Sequence, residues 1–449
     1  MRPERLAANL DARQLALTVL RQWEQNHQPL DEVLDCHLTG PSTVDTRLAT
    51  ELVYGVVRRM GTLDWRLNSL LKQPLTKLPP VIALILRIGA YQLLYLDRIP
   101  ASAAVHEAVE QAKRHGHAGT VKLTNAVLRS LQRAGDTTPL PEDPNMRLAA
   151  TASVPPWLAK RWIPRYGEAE ATTLARAMIQ QAPQHLRVNM LRTGPPAVLA
   201  AFTAADIAAE ALSPFAEGIH VLPGSGISGW PGFTEGWWYV QDLGSMAVAH
   251  AVAPRPGDTV IDLCAAPGGK TTHMAALMAD EGRILAVDMQ ARRLERVQEN
   301  VQRLGITCIE TRVGDAATLV PDRLADRVLV DAPCSGLGVM RRKPDIRWRV
   351  TTETLKAILP VQQAILRAAA AWVKPGGILV YSTCSTEPEE NGAQIAAFLA
   401  DYPEFEAVAM PDTFPDEWLA GQPLGQVSLL PPRHGSDGFF IARMQRRKA

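Results

Sequence analysis

The stretch TVIDLCAAPGGKTTHMAALM, residues 259–278, decides the fold. A short apolar run, TVIDLC, passes through Gly268 and Gly269 into a run of helix-forming residues. A strand that turns through glycines into a helix lets backbone approach a ligand closely, with the helix N-terminus facing it. Two nucleotide motifs compete for such a turn. The phosphate loop G-x-x-x-x-G-K-[ST] fits Gly269, Lys270 and Thr271, but Cys264 stands where its first glycine belongs. The dinucleotide fingerprint G-x-G-x-x-G is absent. ATP hydrolysis and hydride transfer therefore both lose ground.

Downstream, the rhythm is regular. GRILAVD (282–288), TCIETRVGD (307–315), DRVLVDAP (326–333) and GGILVYSTC (376–384) read as short apolar strands. Helical stretches such as ARRLERVQENVQRLG and LPVQQAILRAAAAWV separate most of them. This alternation predicts an α/β, Rossmann-like fold with a mostly parallel sheet covered on both faces. The tail HGSDGFFIARMQ (434–445) reads as a last strand, antiparallel, at or near an edge. In such sheets ligands bind at the carboxyl ends of strands. Asp288, Asp315 and Asp331 end the second, third and fourth strands. Asp288 suits ribose hydroxyls and Asp315 an adenine edge. Read singly, each would pass as a helix cap; the recurrence after three strands weakens that reading.

Upstream, the character changes twice. Residues 1–140 read as an all-helical domain, since apolar residues in LALTVLRQW (15–23) and TELVYGVVRRMGTLDWRLNSLL (50–71) recur at three- and four-residue steps. Asp45 and Pro100 stand at helix starts. The apolar run VIALILRIGAYQLLYL (81–96) is short for a bilayer and carries Arg87, so it reads as a buried helix. AGDTTPLPEDPN (134–145) reads as a linker. Residues 150–240 read as a small α+β domain, with a strand in HLRVNML, a helix near 195–209 and a glycine- and proline-rich GIHVLPGSG. Residues 241–449 are the α/β domain.

A net charge of +1 means that any nucleic-acid site must come from local patches. The N-terminal MRPERLAANLDARQ has no apolar core of signal-peptide length. A soluble cytoplasmic protein is expected, monomeric and without membrane association. Five cysteines with no C-x-x-C pair argue against a disulfide framework or a zinc site, and no metal is expected. Cys36, Cys264 and Cys308 read as small buried hydrophobes. Cys334 in DAPCSG and Cys384 in YSTCS do not, because both sit just past strand ends beside the glycine turn.

DLCAAPGGKT, DAPCSGLG, YSTCS and HGSDGFF, in this order, resemble the RNA cytosine-5 methyltransferases of the NOL1/NOP2/Sun family. The resemblance covers 241–449. It implies S-adenosyl-L-methionine as cofactor, held by Cys264, Ala265, Ala266, Pro267, Gly268, Gly269 and Lys270 with Asp288, Asp315 and Asp331. It also implies Cys384 as the nucleophile on C6 of cytosine and Cys334 as the residue that assists product release. Spacing alone leaves open which cysteine attacks, and the DNA cytosine methyltransferases use the Pro-Cys cysteine. Thiolate attack on C6 makes C5 enamine-like, and Asp331 at the N3 edge would draw charge from C6. The helical N-terminal region resembles, more loosely, the RNA-binding NusB-like domain of the bacterial Sun type, which implies 16S ribosomal RNA and its cytosine 967.

After DAPCSGLG, the run VMRRKPDIRWR offers Arg341, Arg342, Lys343, Arg347 and Trp348 for phosphate contact and base stacking. A solvated surface turn is the plainer reading; adjacency to the cysteines favours RNA. A base that meets a thiol and a methyl donor together must leave its stack, so loops or bulges are the expected target. Alternatives are a different RNA (tRNA or 23S) and a non-catalytic RNA-binding assembly factor.

Overall fold

The computed structural model describes residues 11–26, 28–38, 44–135, 137–222 and 229–448. Most of MRPERLAANLDARQ and the end of GIHVLPGSG lie outside these residues. The chain divides into two compact units, one of residues 1–180 with 340–351, the other of residues 181–339 with 352–449. These units depart from the expected spans. The helices Pro144–Ala152, Pro156–Tyr166 and Glu168–Met178 join the first unit, as does a segment from the middle of the α/β region.

Among its described residues the second unit holds two sheets. In the smaller, β1 (Gln184–Val188), β2 (Ala209–Ala211), β3 (Gly218–Val221) and β4 (Trp238–Val240) lie in the order β2-β3-β1-β4, all antiparallel. The helix Pro195–Ala204 follows β1, and Val198 and Phe202 pack with Leu186, Ile219 and Trp238 in one core. Glu217, beside β3, accepts hydrogen bonds from His250 Nε2 (2.7 Å) and His273 Nε2 (2.8 Å). This buried clamp ties the small sheet to the helices Leu243–Val252 and Gly269–Leu277.

The larger sheet comprises β5 (Thr259–Asp262), β6 (Arg283–Asp288), β7 (Ile309–Val313), β8 (Ala325–Asp331), β9 (Val373–Thr383), β10 (Phe405–Ala407), β11 (Gln426–Leu429) and β12 (Phe439–Arg446). Its order is β10-β12-β9-β8-β5-β6-β7, with β11 also on β12. β5 to β9 are parallel, and β12 runs antiparallel to β9, with Ile441 opposite Ser382. The tail strand thus lies one place in from the edge, because β10 and β11 cover its outer side. Those two strands, of three and four residues, are too short to carry a readable alternation. Both faces of the sheet are buried, with Val260, Ile284 and Val380 on one side and Ile261, Val330 and Leu379 on the other. This explains why the inner strands β5, β6, β8 and β9 carry runs of consecutive apolar residues, while the edge strand β7, IETRV, does not.

The first unit is helical around Leu17, Leu52, Leu63, Ile85 and Leu128. The apolar run becomes the helix Pro80–Tyr95, buried on nearly every face. Its one charge, Arg87, meets Asp64 (2.7 and 2.9 Å) and Glu24 (2.9 Å), so the cation is paired inside the bundle. Among the described residues no helix is long and apolar enough to cross a membrane. Val44–Asn68 carries Asp45 in its first turn, and Pro100 precedes Ala101–His115, as the sequence suggests.

The segment 340–351 corrects the expected surface patch. Arg347 is 1% exposed and donates to the backbone carbonyls of Arg58 (3.2 Å), Ser153 (3.4 Å), Met178 (2.8 Å) and Met340 (3.2 Å). Trp348 donates from Nε1 to Val57 O at 2.8 Å and is half-buried. Arg341 is buried as well. Lys343 alone of the five is exposed, and it pairs with Asp31 at 3.2 Å, while Arg342 is half-buried. Spacing showed a basic run; three of the four backbone carbonyls that consume Arg347, those of Arg58, Ser153 and Met178, are remote in the chain and could not be read from it. Arg347→Ala should therefore lower the stability of the protein by about 3 kcal/mol, the scale of orphaning several buried carbonyls at once. Calorimetric melting checks this; an unchanged melt with lost RNA affinity would return Arg347 to the surface role.

Candidate active site

The glycine turn is shaped by space as well as by conformation. Gly268 has φ of +99°, and a Cβ there would meet Val297 at 3.2 Å, so only glycine fits. A side chain at Gly269 would press on the Tyr239 ring. The turn forms one wall of a cleft of about 180 Å³, walled also by Tyr239, Asp242, Asp262 and Asp331. Cys264, Ala265, Ala266, Pro267, Gly269 and Lys270 all line it.

Asp262, the last residue of β5, was not among the expected site residues. It is fully buried, and its Oδ2 accepts from Thr271 Oγ1 at 2.7 Å while Oδ1 has no partner. Burial pushes its carboxyl up to about 7, against the Thr271 hydrogen bond that lowers it. An orphaned carboxylate oxygen on a cleft wall suits a cationic or N–H-bearing ligand group. The signal was present in the sequence: Asp262 ends the first strand as the other three carboxylates follow theirs.

Those three part company. Asp331, at the end of β8, lines the cleft; its Oδ2 lies 2.6 Å from Lys270 Nζ and its Oδ1 accepts from Ser382 Oγ at 2.7 Å. Asp288 is buried beneath the turn. It accepts from the backbone of Ala266 (3.3 Å) and Gln290 (3.0 Å) and pairs with Arg293 at 3.3 Å. Asp315 is exposed and accepts from Ala317 N at 2.9 Å. In the structure both hold backbone N–H groups, and neither is among the residues that line the cleft.

The two strand-end cysteines meet. Cys334 Sγ lies 3.3 Å from Cys384 Sγ. Their loops are stitched by backbone: Gly338 N donates to Cys384 O and Gly438 N to Gly338 O, both at 2.9 Å. A Cβ on Gly338 would meet Cys384 O at 2.7 Å, so the approach requires glycine. Four motif strings spread between Asp262 and Phe440 thus converge, because Phe439 of the last also lies under Lys270, 5.3 Å from ring centroid to Nζ.

The surroundings of the two thiols differ. Burial is the largest influence on Lys270 and would lower it, but the charge and hydrogen bond of Asp331, with Cys384 and Asp262, together outweigh burial and the lysine stays protonated. A fixed ammonium therefore faces Cys384. The hydrogen bond with Cys384, burial and the Glu390 carboxylate all push the Cys334 thiol well up. Burial also pushes up Cys264, which fits an inert wall residue. Glu217, His250 and His273 each offer a ligand atom within 4.8 Å of the others, but direct hydrogen bonds of 2.7 and 2.8 Å already join them.

Comparison with known proteins adds independent findings. Residues 249–445 match the model described as 16S rRNA methyltransferase RsmB/F, residues 10–133 the NusB family, and residues 154–225 an RsmF/B-like ferredoxin-like domain. The chain is 40% identical to a probable ribosomal RNA small subunit methyltransferase B of Synechocystis, over 97% of this chain and 100% of that one. It is 37% identical to the probable counterpart of Bacillus subtilis, over 97% and 98%. Among solved structures, PH0851 superposes with a TM-score of 0.79 at 26% identity, covering 98% of this chain and 99% of its own. A methyltransferase homologue from Pyrococcus horikoshii gives 0.56 at 30% identity, covering 67% and 97%.

The Asp262 carboxyl yields a pH prediction. Its folded-state pKa, about 7, lies above the ordinary 3.8, so the folded protein holds the proton more tightly than the unfolded chain. The associated stability is present below about pH 4 and is lost as pH rises through 7. Melting temperatures of ligand-free wild type should therefore fall, relative to Asp262→Asn, between those limits. Parallel curves for the two proteins would refute the assignment.

Proposed function

Given that the chain belongs to the 16S rRNA methyltransferase RsmB/F family and so methylates ribosomal RNA with S-adenosyl-L-methionine, we propose that it modifies carbon 5 of a cytosine, cytosine 967 of 16S rRNA, through a covalent bond from Cys384 to C6. The observation that carries this reading is the pair of sulfurs 3.3 Å apart at the ends of β8 and β9, beside Lys270 and Asp331.

S-adenosyl-L-methionine supplies the methyl group when bound. The residues fit it: the glycine turn admits close approach, and the unpartnered Asp262 Oδ1 suits an ammonium such as that of the methionyl moiety. We assign Cys264 to Lys270, Asp331 and Asp262 to its site, with Asp288 bracing the turn from below through Ala266 N. Asp315 remains a candidate for the adenine end.

The chain's own groups then divide the work. Cys384 is the thiol we assign to attack: as thiolate it adds to C6 and makes C5 nucleophilic. Asp331, held by Lys270 and Ser382, is the group we assign to the N3 edge of the ring. After methyl transfer Cys334, its own thiol proton first released to solvent, takes the C5 proton as thiolate. The electrons of the C5–H bond re-form the C5–C6 double bond, the C6–S bond breaks and its electron pair returns to Cys384. The raised Cys334 thiol binds a proton more tightly than an ordinary thiol, which suits a proton acceptor. The base must be flipped out to reach this pair. Lys343 and Arg342 are the members of the basic run that retain an assignment to phosphate; the helical unit supplies further RNA contact.

Two variants test the division. Cys384→Ser should abolish turnover and form no covalent RNA adduct. Cys334→Ser should still attack and transfer methyl, then stall as a protein–RNA complex that survives a denaturing gel. An adduct in Cys384→Ser and none in Cys334→Ser would reverse the assignment to the DNA-type order. Activity retained in both would reject covalent catalysis. Bisulfite sequencing of ribosomal RNA from cells with and without the protein should show cytosine 967 protected only when it is present; protection elsewhere would relocate the target.

A further inference from the structure

We propose that Glu390 is a positioning residue of the active site, its buried carboxylate gathering the loops that carry Cys334 and Cys384 and so setting the distance between the two thiols. The inference rests on the covalent reading above, and deepens it.

Glu390 is fully buried, in the turn between β9 and the helix Gly392–Asp401. Its Oε1 accepts from the backbone N–H of Ser335 at 2.7 Å and from Gln362 Nε2 at 3.0 Å. Its Oε2 accepts from Ser335 Oγ at 2.5 Å and from Ser385 Oγ. Ser335 follows Cys334, and Ser385 follows Cys384. The two hydroxyl oxygens lie 3.1 Å apart, much as the two sulfurs do one residue earlier. Gln362, also buried, donates in addition to Pro333 O at 3.0 Å, on the other side of Cys334. The Glu390 carbonyl accepts from Tyr381 OH at 2.7 Å, which anchors the turn to β9.

A carboxylate accepts four hydrogen bonds, and here four donors converge on it. Three come from the residues next to the cysteines and the fourth from a glutamine that also holds the Pro-Cys loop. A buried charge is costly unless satisfied in this way, and a small apolar residue would fill the space more cheaply. What the carboxylate alone supplies is a single acceptor shared by both cysteine loops. Lys270 and Asp331 cannot do this, because they hold the strand ends and not the residues beyond the thiols. The charge of Glu390 also bears on Cys334 and helps keep its thiol up.

Glu390→Gln keeps the shape but places an amide N–H₂ where an oxygen took hydroxyl donors. In the full-length protein, single-turnover methyl transfer to 16S rRNA should slow about tenfold or more, the scale of a misplacement of up to 1 Å, with KM for S-adenosyl-L-methionine unchanged. Ser335→Ala, which leaves the carboxylate in place and covers the case of Glu390→Gln failing to fold, should slow the same step. The two combined should be less than multiplicative if they act through one clamp.

A second readout measures spacing without activity. Diamide takes one proton and one electron from each thiol and joins Cys334 to Cys384, and mass spectrometry follows the disulfide. Glu390→Gln and Ser335→Ala should form it several-fold more slowly than wild type at equal folded fraction. Unchanged methyl transfer together with an unchanged disulfide rate would overturn the proposal, as would losses that merely track the folded fraction. Failure of the covalent reading is separable: Cys384→Ser would then still methylate RNA, while the disulfide rate would report on the clamp regardless.

Discussion

Lys270 reaches from the first turn of the helix Gly269–Leu277 across the carboxyl end of the sheet to Asp331, 2.6 Å away. Each partner is largely removed from water, so each depends on the other to offset the cost of desolvation. The arrangement adds a hydrogen bond from Ser382 to the carboxylate and the Phe439 ring to the ammonium. This single pair fixes the cofactor turn on β5 against the ends of β8, β9 and β12. Remove the carboxylate, and an unpaired buried ammonium would have to lose its proton or leave; the cleft wall and the thiol environment would change together.

The second constraint is one of space. Gly338 and Gly438 bring three chain segments into backbone contact, and each hydrogen bond between them needs the absence of a side chain. The antiparallel β12 makes this possible. By running against β9 it delivers its amino-terminal end, with Gly438 and Phe439, to the carboxyl end of the parallel strands, where ligands bind. A parallel final strand would have delivered its opposite end. The antiparallel addition therefore has a functional consequence: it places a loop of the tail beside the cysteines.

The same logic separates roles that look alike in the chain. Asp262, Asp288, Asp315 and Asp331 all stand at or just past strand ends, yet their surroundings give them different work. Asp331 is paired with a lysine, Asp262 is left with an open oxygen, and Asp288 and Asp315 hold backbone N–H groups. The cysteines divide likewise, Cys384 toward an ammonium and Cys334 toward a carboxylate. Chemistry here comes from the asymmetry around equivalent positions more than from the positions themselves.

Much of this was legible in the chain. The alternation of apolar runs with helical periodicity gave five parallel strands, the antiparallel tail strand and the helical N-terminal region, because those periods are local properties of backbone geometry. Strand-end residues could be named for the same reason: where an apolar run stops, its last polar residue must emerge at the sheet's edge. That Cys334 and Cys384 stand at equivalent strand ends could be read from the chain; that their strands are neighbours, so that the two sulfurs meet, came from the fold. Tertiary structure decided the rest. The run from Arg341 to Trp348 is basic and aromatic in sequence, but Arg347 and Trp348 are consumed by carbonyls of helices remote in the chain. Glu390, one acidic residue among many, becomes a clamp only when Ser335, Gln362 and Ser385 are folded around it. Spacing encodes which residues share a face or an end; whether a charge there meets water, a carbonyl or an opposite charge depends on long-range neighbours, which only the folded chain supplies.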